Sequence, residues 1–354
     1  MDVQFSEEEL LLRDSILGQA DKGAASSVAA LESYDDAALW DRLAASGALG
    51  LGVPETLGGA GSMTDASIAA TALGRATTPV PYLGCALLPA HLLALAGTDP
   101  AVIDALVSGR RRVAVGVDPH TWAIASESSA TALAWDSAGA DAAVVRSADG
   151  RRLVAVAIGT PTPGLDLTRR LHRCDLSRRA DVAGRPGADC GDLGGALDGD
   201  AEQRWYALTL ALTAADMVGV MEGALALAVE HAKTREQFGV PIGSFQAIQH
   251  LLAEQHTSLE GARSVTTYAA WSLQHRGLDD ARLAAHTAKA YCADAGKRLC
   301  EAVVQVHGGM GMTWECRAHV FLKRMMFDRT FLGDEHLHFR RIAELRSREA
   351  RRGL

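Results

Sequence analysis

Few cysteines are present, and no two of them are spaced as a metal site or a redox pair would need. Only six of the 354 residues are cysteine. They form no CxxC pair, and no histidine stands at zinc-site spacing from them. We therefore predict reduced cytosolic thiols. The six are Cys85, Cys174, Cys190, Cys292, Cys300 and Cys316.

Basic residues are in the minority and form no stripe along the chain. Lysine and arginine number 35 against 43 aspartates and glutamates, for a net charge of -8. Nucleic-acid binding depends on clustered basic side chains that neutralise phosphates, so we expect no nucleic-acid partner. Since 48% of the residues are hydrophobic, a chain of this length can bury the cores of two or three domains.

Neither an export signal nor an uninterrupted membrane span is evident in the sequence. Residues 1–9 are acidic, where a secretory signal has a basic flank and then an apolar run. The most apolar stretch, residues 207–229, contains Asp216 and Glu222. Charges inside that stretch favour a buried helix of a bundle over a membrane helix. We predict a cytoplasmic protein without a membrane span.

Helix signals dominate the first 111 residues. Ser6 and Glu9 have the spacing of a capping box, which predicts a helix from Ser6. A second helix is predicted after Asp36 as its N-cap, with Gly47 placed to end it. We therefore predict an N-terminal helical domain over residues 1–111. Helical periodicity also marks residues 65–73 and 87–95.

Short apolar runs separated by turn residues replace the helical pattern after residue 111. Such runs are typical of strands, and Asp149-Gly150 predicts a hairpin turn between two of them. We predict a small β domain over residues 112–198. Its candidate strands are residues 113–117, 142–145 and 153–158.

Long helical periodicities occupy the rest of the chain, and glycines interrupt them. Long helices joined by short turns are typical of an up-down bundle, so residues 199–354 predict a four-helix bundle. The fold class is therefore mainly α with a small central β domain, in the order α bundle, β domain, α bundle. The predicted helical segments are residues 201–233, 246–275, 280–306 and 334–349.

Three stretches of sequence carry a family resemblance. They are REQFGVPIGSFQAIQH at residues 235–250, QVHGGMG at residues 305–311 and LGLGVPE at residues 49–55. In this order around a central β domain, they resemble the acyl-CoA dehydrogenase family. The segment GMTWE at residues 311–315 is similar to actinobacterial subunits that act on steroid side chains and similar bulky thioesters. The resemblance implies FAD as cofactor, held at a subunit boundary, and α,β-dehydrogenation of a CoA thioester.

The resemblance assigns the first stretch to the flavin boundary. Arg235 is similar to the family arginine that grips the FAD pyrophosphate across that boundary, with two parallel hydrogen bonds that a lysine cannot imitate. Phe238 would pack on the adenosine side, and Gln246 resembles the glutamine that forms a hydrogen bond there. An ordinary solvated arginine at a helix end is the alternative.

The second stretch is assigned by the resemblance to the same cofactor. Gln305, Gly308 and Gly309 would contact the adenine and ribose of the FAD held by the neighbouring subunit. Glycines let backbone approach a ligand closely and offer N–H groups to it. A plain helix-breaking turn is the alternative.

The carboxylate base of the family has no counterpart at either family position. Those positions are occupied here by Thr209 and by Leu332, and a hydroxyl cannot take the α proton at neutral pH. Asp334 or Glu335 would serve only if the loop were shifted, and helix N-capping explains both equally well. Asp216 is a further candidate that a buried partner would also explain.

The β domain departs from the family pattern as well. Its residues 115–120 lack the T-E-P…G-S-D type of loop that covers the flavin ring. The residues that bind the adenosine half of FAD are thus present, whereas the residues that bind the flavin ring and accept the α proton are missing. This resembles the accessory subunit of an α2β2 enzyme, whose full-length homologous partner brings the base.

Two alternatives to the accessory subunit remain open, and a metal site is not expected. One is a self-sufficient homo-oligomeric dehydrogenase with a relocated base, and the other is a degenerate homologue that binds an acyl-CoA or a protein without redox chemistry. His336 and His338 stand close to acidic residues, but an HxH pair on a helix points its rings to different faces. We predict no metal.

Overall fold

Helices precede and follow a small barrel of strands. The computed structural model describes residues 5–22, 25, 27–182 and 190–352; the first four residues of the acidic start lie outside them. The helices are α1 (Glu7–Lys22), α2 (Ala37–Ala45), α3 (Met63–Arg75), α4 (Leu88–Leu95), α5 (Pro100–Val107), α6 (Gly199–Thr234), α7 (Gln246–His275), α8 (Leu278–His307), α9 (Ala318–Thr330) and α10 (Glu335–Arg352). The strands are β1 (Val113–Val117), β2 (Leu133–Ala134), β3 (Ala142–Arg146), β4 (Leu153–Thr162), β5 (Leu171–Arg179), β6 (Glu236–Gln237) and β7 (Val240–Pro241).

The N-terminal helices begin as the capping signals predict, with one correction. The Ser6 amide donates to Glu9 at 2.7 Å and the Glu9 amide donates to the Ser6 hydroxyl at 3.2 Å, which confirms the capping box. Asp36 occupies the N-cap position of α2, but its side chain caps nothing. Its carboxylate accepts two hydrogen bonds from Arg112, at 2.8 and 3.0 Å. A charged tertiary partner thus outweighs the local backbone donor.

The five strands β1 to β5 close into a barrel in the order β1-β2-β5-β4-β3. β3 and β4 pair antiparallel, which confirms the hairpin predicted at Asp149-Gly150, and Gly150 supplies the positive φ of 71°. The sequence did not predict β2 or β5. β5 is mostly polar and only partly buried, so no apolar run marks it.

The C-terminal helices surround α6. Its most apolar window is long enough to cross a membrane by length and composition, but 78% of that window is buried inside the protein. The helix packs against α3, α7, α8 and α9. The sequence did not predict α9. Its buried face carries the charged residues Arg324 and Asp328 beside apolar ones, so the sequence lacks the regular alternation of apolar and polar residues that marks an amphipathic helix.

The predicted boundaries fall next to changes of structure. β1 begins at Val113 and α6 at Gly199, beside the predicted limits of 112 and 199. One hydrophobic core nevertheless runs through the N-terminal helices, the barrel and the first half of α6. The mainly α architecture with a small central β domain is confirmed, and the division into domains stays a prediction.

Candidate functional site

A short hairpin follows the end of α6. Arg235 ends the helix with an extended backbone, and its N–H donates to the carbonyl of His231 at 2.8 Å. β6 and β7 then pair around Phe238 and Gly239, whose φ values of 56° and 79° give the two-residue turn that suits a tight hairpin. This turn leaves Phe238 93% exposed. An aromatic ring so exposed is typical of a surface that another molecule covers.

The end of α8 forms a second exposed turn. Gly308 has φ 60° and ψ −144°, a conformation that only glycine adopts readily. A Cβ on Gly308 or Gly309 would meet no atom within 4 Å, so the space beside both glycines is open. Gln305 is exposed in the last turn of the helix. The turn therefore offers bare backbone to a ligand.

Two histidines hold these helix ends together. The rings of His231 and His307 stack with centroids 4.3 Å apart and planes 20° from parallel. Burial, followed by His307 and Arg235, lowers the pKa of His231, which favours the neutral ring. Sequence reasoning missed this pair, although His307 directly precedes Gly308. The stack places Arg235 and Gly308 at the same end of the bundle.

The remaining boundary residues lie beside the hairpin. Gln246 is the first residue of α7 and is exposed. Phe245 precedes it and meets the Phe238 ring edge-on, with centroids 6.3 Å apart. Within the described part of the chain, the Arg235 guanidinium forms no ion pair. An exposed, uncommitted guanidinium beside open glycine backbone fits a bound pyrophosphate.

The two positions at which the family resemblance predicts a missing base are both buried. Thr209 and Leu332 are each 0% exposed. The Thr209 hydroxyl donates to the carbonyl of Trp205 in its own helix at 2.8 Å. Tyr206, one turn earlier, donates its hydroxyl to the carbonyl of Leu332 at 3.0 Å. The loop of Leu332 therefore lies against α6, and neither Thr209 nor Leu332 is a carboxylate.

Aromatic packing fills the neighbourhood of that loop. The ring of Phe331 stacks on Trp135 with centroids 4.1 Å apart and planes 7° from parallel. Trp122 meets Phe331 edge-on at 5.8 Å. Both Phe331 and Trp135 are buried. The packing stabilises a closed, apolar surrounding for Leu332.

The three alternative carboxylates already have partners. Asp216 accepts hydrogen bonds from two nitrogens of Arg324, at 2.9 and 2.6 Å. Glu335 accepts two from Arg329, at 2.8 and 2.5 Å, and Asp334 accepts the backbone N–H of Leu337 at 3.1 Å.

The ion pairs also set the charge of two of these carboxyls. Burial alone would raise the pKa of Asp216, but Arg324 and Arg169 outweigh it and lower that pKa. Burial likewise opposes the lowering of the Glu335 pKa, which Arg329 causes. A carboxylate held ionised by an arginine is a poor proton acceptor.

The HxH pair of α10 points its rings in different directions. The His336 side chain is 78% exposed, whereas His338 is fully buried against His286. Among the described residues, no group of three or more histidines, cysteines or carboxylates is placed to hold a metal ion.

Two family models match most of the folded chain. Residues 6–101 match the acyl-CoA dehydrogenase N-terminal domain, and residues 209–345 match the acyl-CoA dehydrogenase C-terminal domain. The chain belongs to the acyl-CoA dehydrogenase family. This confirms the family, the fold and the oxidoreductase class predicted from the motifs. It also confirms FAD as the predicted cofactor, because the family consists of flavoproteins.

Relatives and solved structures agree with this assignment. Acyl-CoA dehydrogenase IpdE2 of Mycobacterium tuberculosis is 33% identical over 328 residues, 90% of this chain and 91% of the relative. A chain of the ChsE4-ChsE5 complex from Mycobacterium tuberculosis has a TM-score of 0.80 at 25% identity, covering 97% of this chain and 98% of that one. The Tcur3481-Tcur3483 steroid dehydrogenase variant gives the same TM-score, 0.80, at 23% identity over 97% of this chain and 99% of that one, which supports the fold.

Proposed function

We propose that this acyl-CoA dehydrogenase chain is the accessory subunit of a heteromeric enzyme that oxidises a CoA thioester between its α and β carbons. The observation that carries the proposal is a contrast within one chain. The flavin-boundary residues Arg235, Phe238 and Gly308 are exposed together, whereas both base positions are buried and lack a carboxylate. The ChsE4-ChsE5 relative is itself a complex of two different chains. A steroid side chain or another bulky acyl group is the proposed substrate class, and the cytoplasm the proposed location.

The residues at the helix ends define what this chain contributes. Arg235 would hold the pyrophosphate, Phe238 and Gln246 the adenosine side, and the turn at Gln305, Gly308 and Gly309 the adenine and ribose. Bound there, FAD supplies the hydride acceptor for the β carbon. The homologous full-length partner would supply the carboxylate that takes the α proton, because Thr209 and Leu332, at the two expected base positions, are not carboxylates.

Arg235→Ala should lower the FAD content of the assembled complex and leave the fold intact. A bidentate charged contact to a pyrophosphate is lost, worth about 1.5–3 kcal/mol or roughly a tenfold to hundredfold drop in affinity. Arg235→Lys should recover only part of that loss, because an ammonium lacks the planar fork. The measurement is flavin absorbance per chain after purification, with circular dichroism to check the fold.

Arg276→Ala is the matched control. Arg276 ends α7 as Arg235 ends α6, with an extended backbone and an exposed side chain, but it lies over the Trp271 ring away from the hairpin. We expect wild-type flavin content in this variant. An unchanged flavin content in Arg235→Ala, or an equal loss in both variants, would contradict the boundary assignment.

Two purifications separate this proposal from its alternatives. A yellow protein obtained only when a homologous larger chain is co-expressed supports the heteromer. A yellow homo-oligomer that oxidises acyl-CoA by itself supports the self-sufficient dehydrogenase with a relocated base. A colourless protein under both conditions supports the degenerate homologue without redox chemistry.

A further inference from the structure

A cavity of about 390 Å³ lies between the start of α6, the start of α8 and the middle of α10. Ligand sites in proteins usually have volumes of about 300–1,000 Å³. Tyr206, His286 and Trp122 form part of its wall. Tyr206 and Arg235 are separated by 29 residues of helix, about 43 Å at 1.5 Å per residue, so this cavity is distinct from the flavin boundary.

A chain of hydrogen bonds fixes the protonation of the histidine in the cavity wall. The Gly333 carbonyl can only accept, so the Nε2 of His338, 3.1 Å away, must donate to it. The Nδ1 of a neutral His338 is then an acceptor. It lies 2.9 Å from the Nδ1 of His286, which must therefore donate. A neutral His286 is left with an unprotonated Nε2.

Both rings are held neutral by their surroundings. Burial, followed by the charges of Arg282 and Arg341, lowers the pKa of His286 to about 4, against the opposing effect of Glu344. Burial and the nearby Lys289 lower the pKa of His338 to about 2. Within the described residues, the Nε2 of His286 has no hydrogen-bond partner, so its lone pair remains free to accept one.

Guanidinium groups also line this cavity. Arg341 donates to Glu344 at 2.8 Å, and Arg282 contacts Asp279 at 3.3 Å. Arg348, also in the wall, forms no ion pair in the part of the chain that the structure describes. A cavity with a fixed acceptor in its wall and an uncommitted cation beside it suits a ligand that has both a hydrogen-bond donor and an anionic group.

We propose that His286 is a ligand-binding residue of this chain: its Nε2 accepts a hydrogen bond from an N–H or O–H of an organic phosphate whose charged end lies against Arg348. The preference for a phosphate that also carries amide donors rests on the proposed function, because CoA thioesters have both. The site binds and performs no bond-breaking step.

Titration calorimetry with 4′-phosphopantetheine tests the site in the assembled complex. His286→Phe keeps a ring in the wall and removes the acceptor, and should weaken binding at least tenfold. Arg348→Gln, at an exposed position where folding is not at risk, should weaken it severalfold. His336→Gln, an exposed histidine of α10 outside the cavity, should bind as the wild type does.

The outcomes distinguish this inference from the proposed function. Absence of binding in the wild type, or wild-type binding by both His286→Phe and Arg348→Gln, would overturn it. Inorganic phosphate that binds as tightly as 4′-phosphopantetheine would also overturn it, because the acceptor would then contribute nothing. Flavin content should stay constant across all these variants, so a loss of FAD would count against the boundary assignment instead.

Discussion

Given a CoA thioester, the isolated chain should neither bleach a bound flavin nor reduce an electron acceptor, whereas the assembled complex should do both. We expect this because Thr209 and Leu332, which the family resemblance places at the base positions, are fully buried and carry no carboxyl group. The measurement is anaerobic flavin absorbance after addition of the thioester, with and without the partner.

Amide variants test the carboxylates that could replace the missing base. In the assembled complex, Asp334→Asn and Glu335→Gln should change the rate by less than about tenfold, far below the ~10²–10⁴ expected for loss of a general base. Rates are expressed per flavin, so that a change in cofactor content does not imitate a catalytic loss. If the isolated chain turns over an acyl-CoA and one of these amide variants abolishes that turnover, the chain is a self-sufficient dehydrogenase with a relocated base. The accessory-subunit proposal would then be wrong.

Asp216→Asn should lower the free energy of unfolding by about 3–5 kcal/mol, the cost typical of removing one partner from a buried ion pair. Asp216 is 1% exposed and binds Arg324, which is also 1% exposed. Arg169, 3% exposed, approaches the same carboxylate at 3.2 Å. The amide would leave two buried guanidinium groups with too little negative charge. Urea denaturation at neutral pH measures the difference.

Asp328→Asn is the matched control, because Asp328 is equally buried in the same cluster. Burial, followed by the nearby Asp216 carboxylate, raises its pKa well above the ordinary value, so an uncharged amide is a closer substitute for Asp328 than for Asp216. An amide imitates a protonated carboxyl, and we expect a loss below about 1 kcal/mol. Equal losses in the two variants would contradict this assignment of charge.

The pH dependence of the Asp216 effect has a definite sign. Arginine partners lower the folded-state pKa of Asp216 below its ordinary 3.8. Its stabilisation is therefore present above pH 3.8 and is lost as the pH falls towards the lower folded-state value. The difference between wild type and Asp216→Asn should shrink below about pH 4. A difference that grows under acid conditions would exclude the lowered pKa.

The local structure around Arg235, Phe238 and Gly308 could be predicted because it depends on adjacent residues, whereas the role of these residues at a flavin boundary stays a prediction. Gly239 and Gly308 are needed by the conformation of their own turns, and Arg235 ends its own helix. Such features depend on neighbours within a few residues, which a sequence pattern records directly. The His231–His307 stack joins helix ends more than seventy residues apart, and no local pattern records that contact.

By itself, the sequence determined the family, the order of helical and β regions and the cofactor, while the missing base stays a prediction. Only the tertiary structure decided that Asp216 forms an ion pair with Arg324 and that Glu335 forms one with Arg329. It also decided the tautomer of His286, which leaves the Nε2 of that ring without a proton. The physical reason is that helix caps, turns and periodicities are set by adjacent residues, whereas the charge of a buried group is set by partners that folding brings from distant segments.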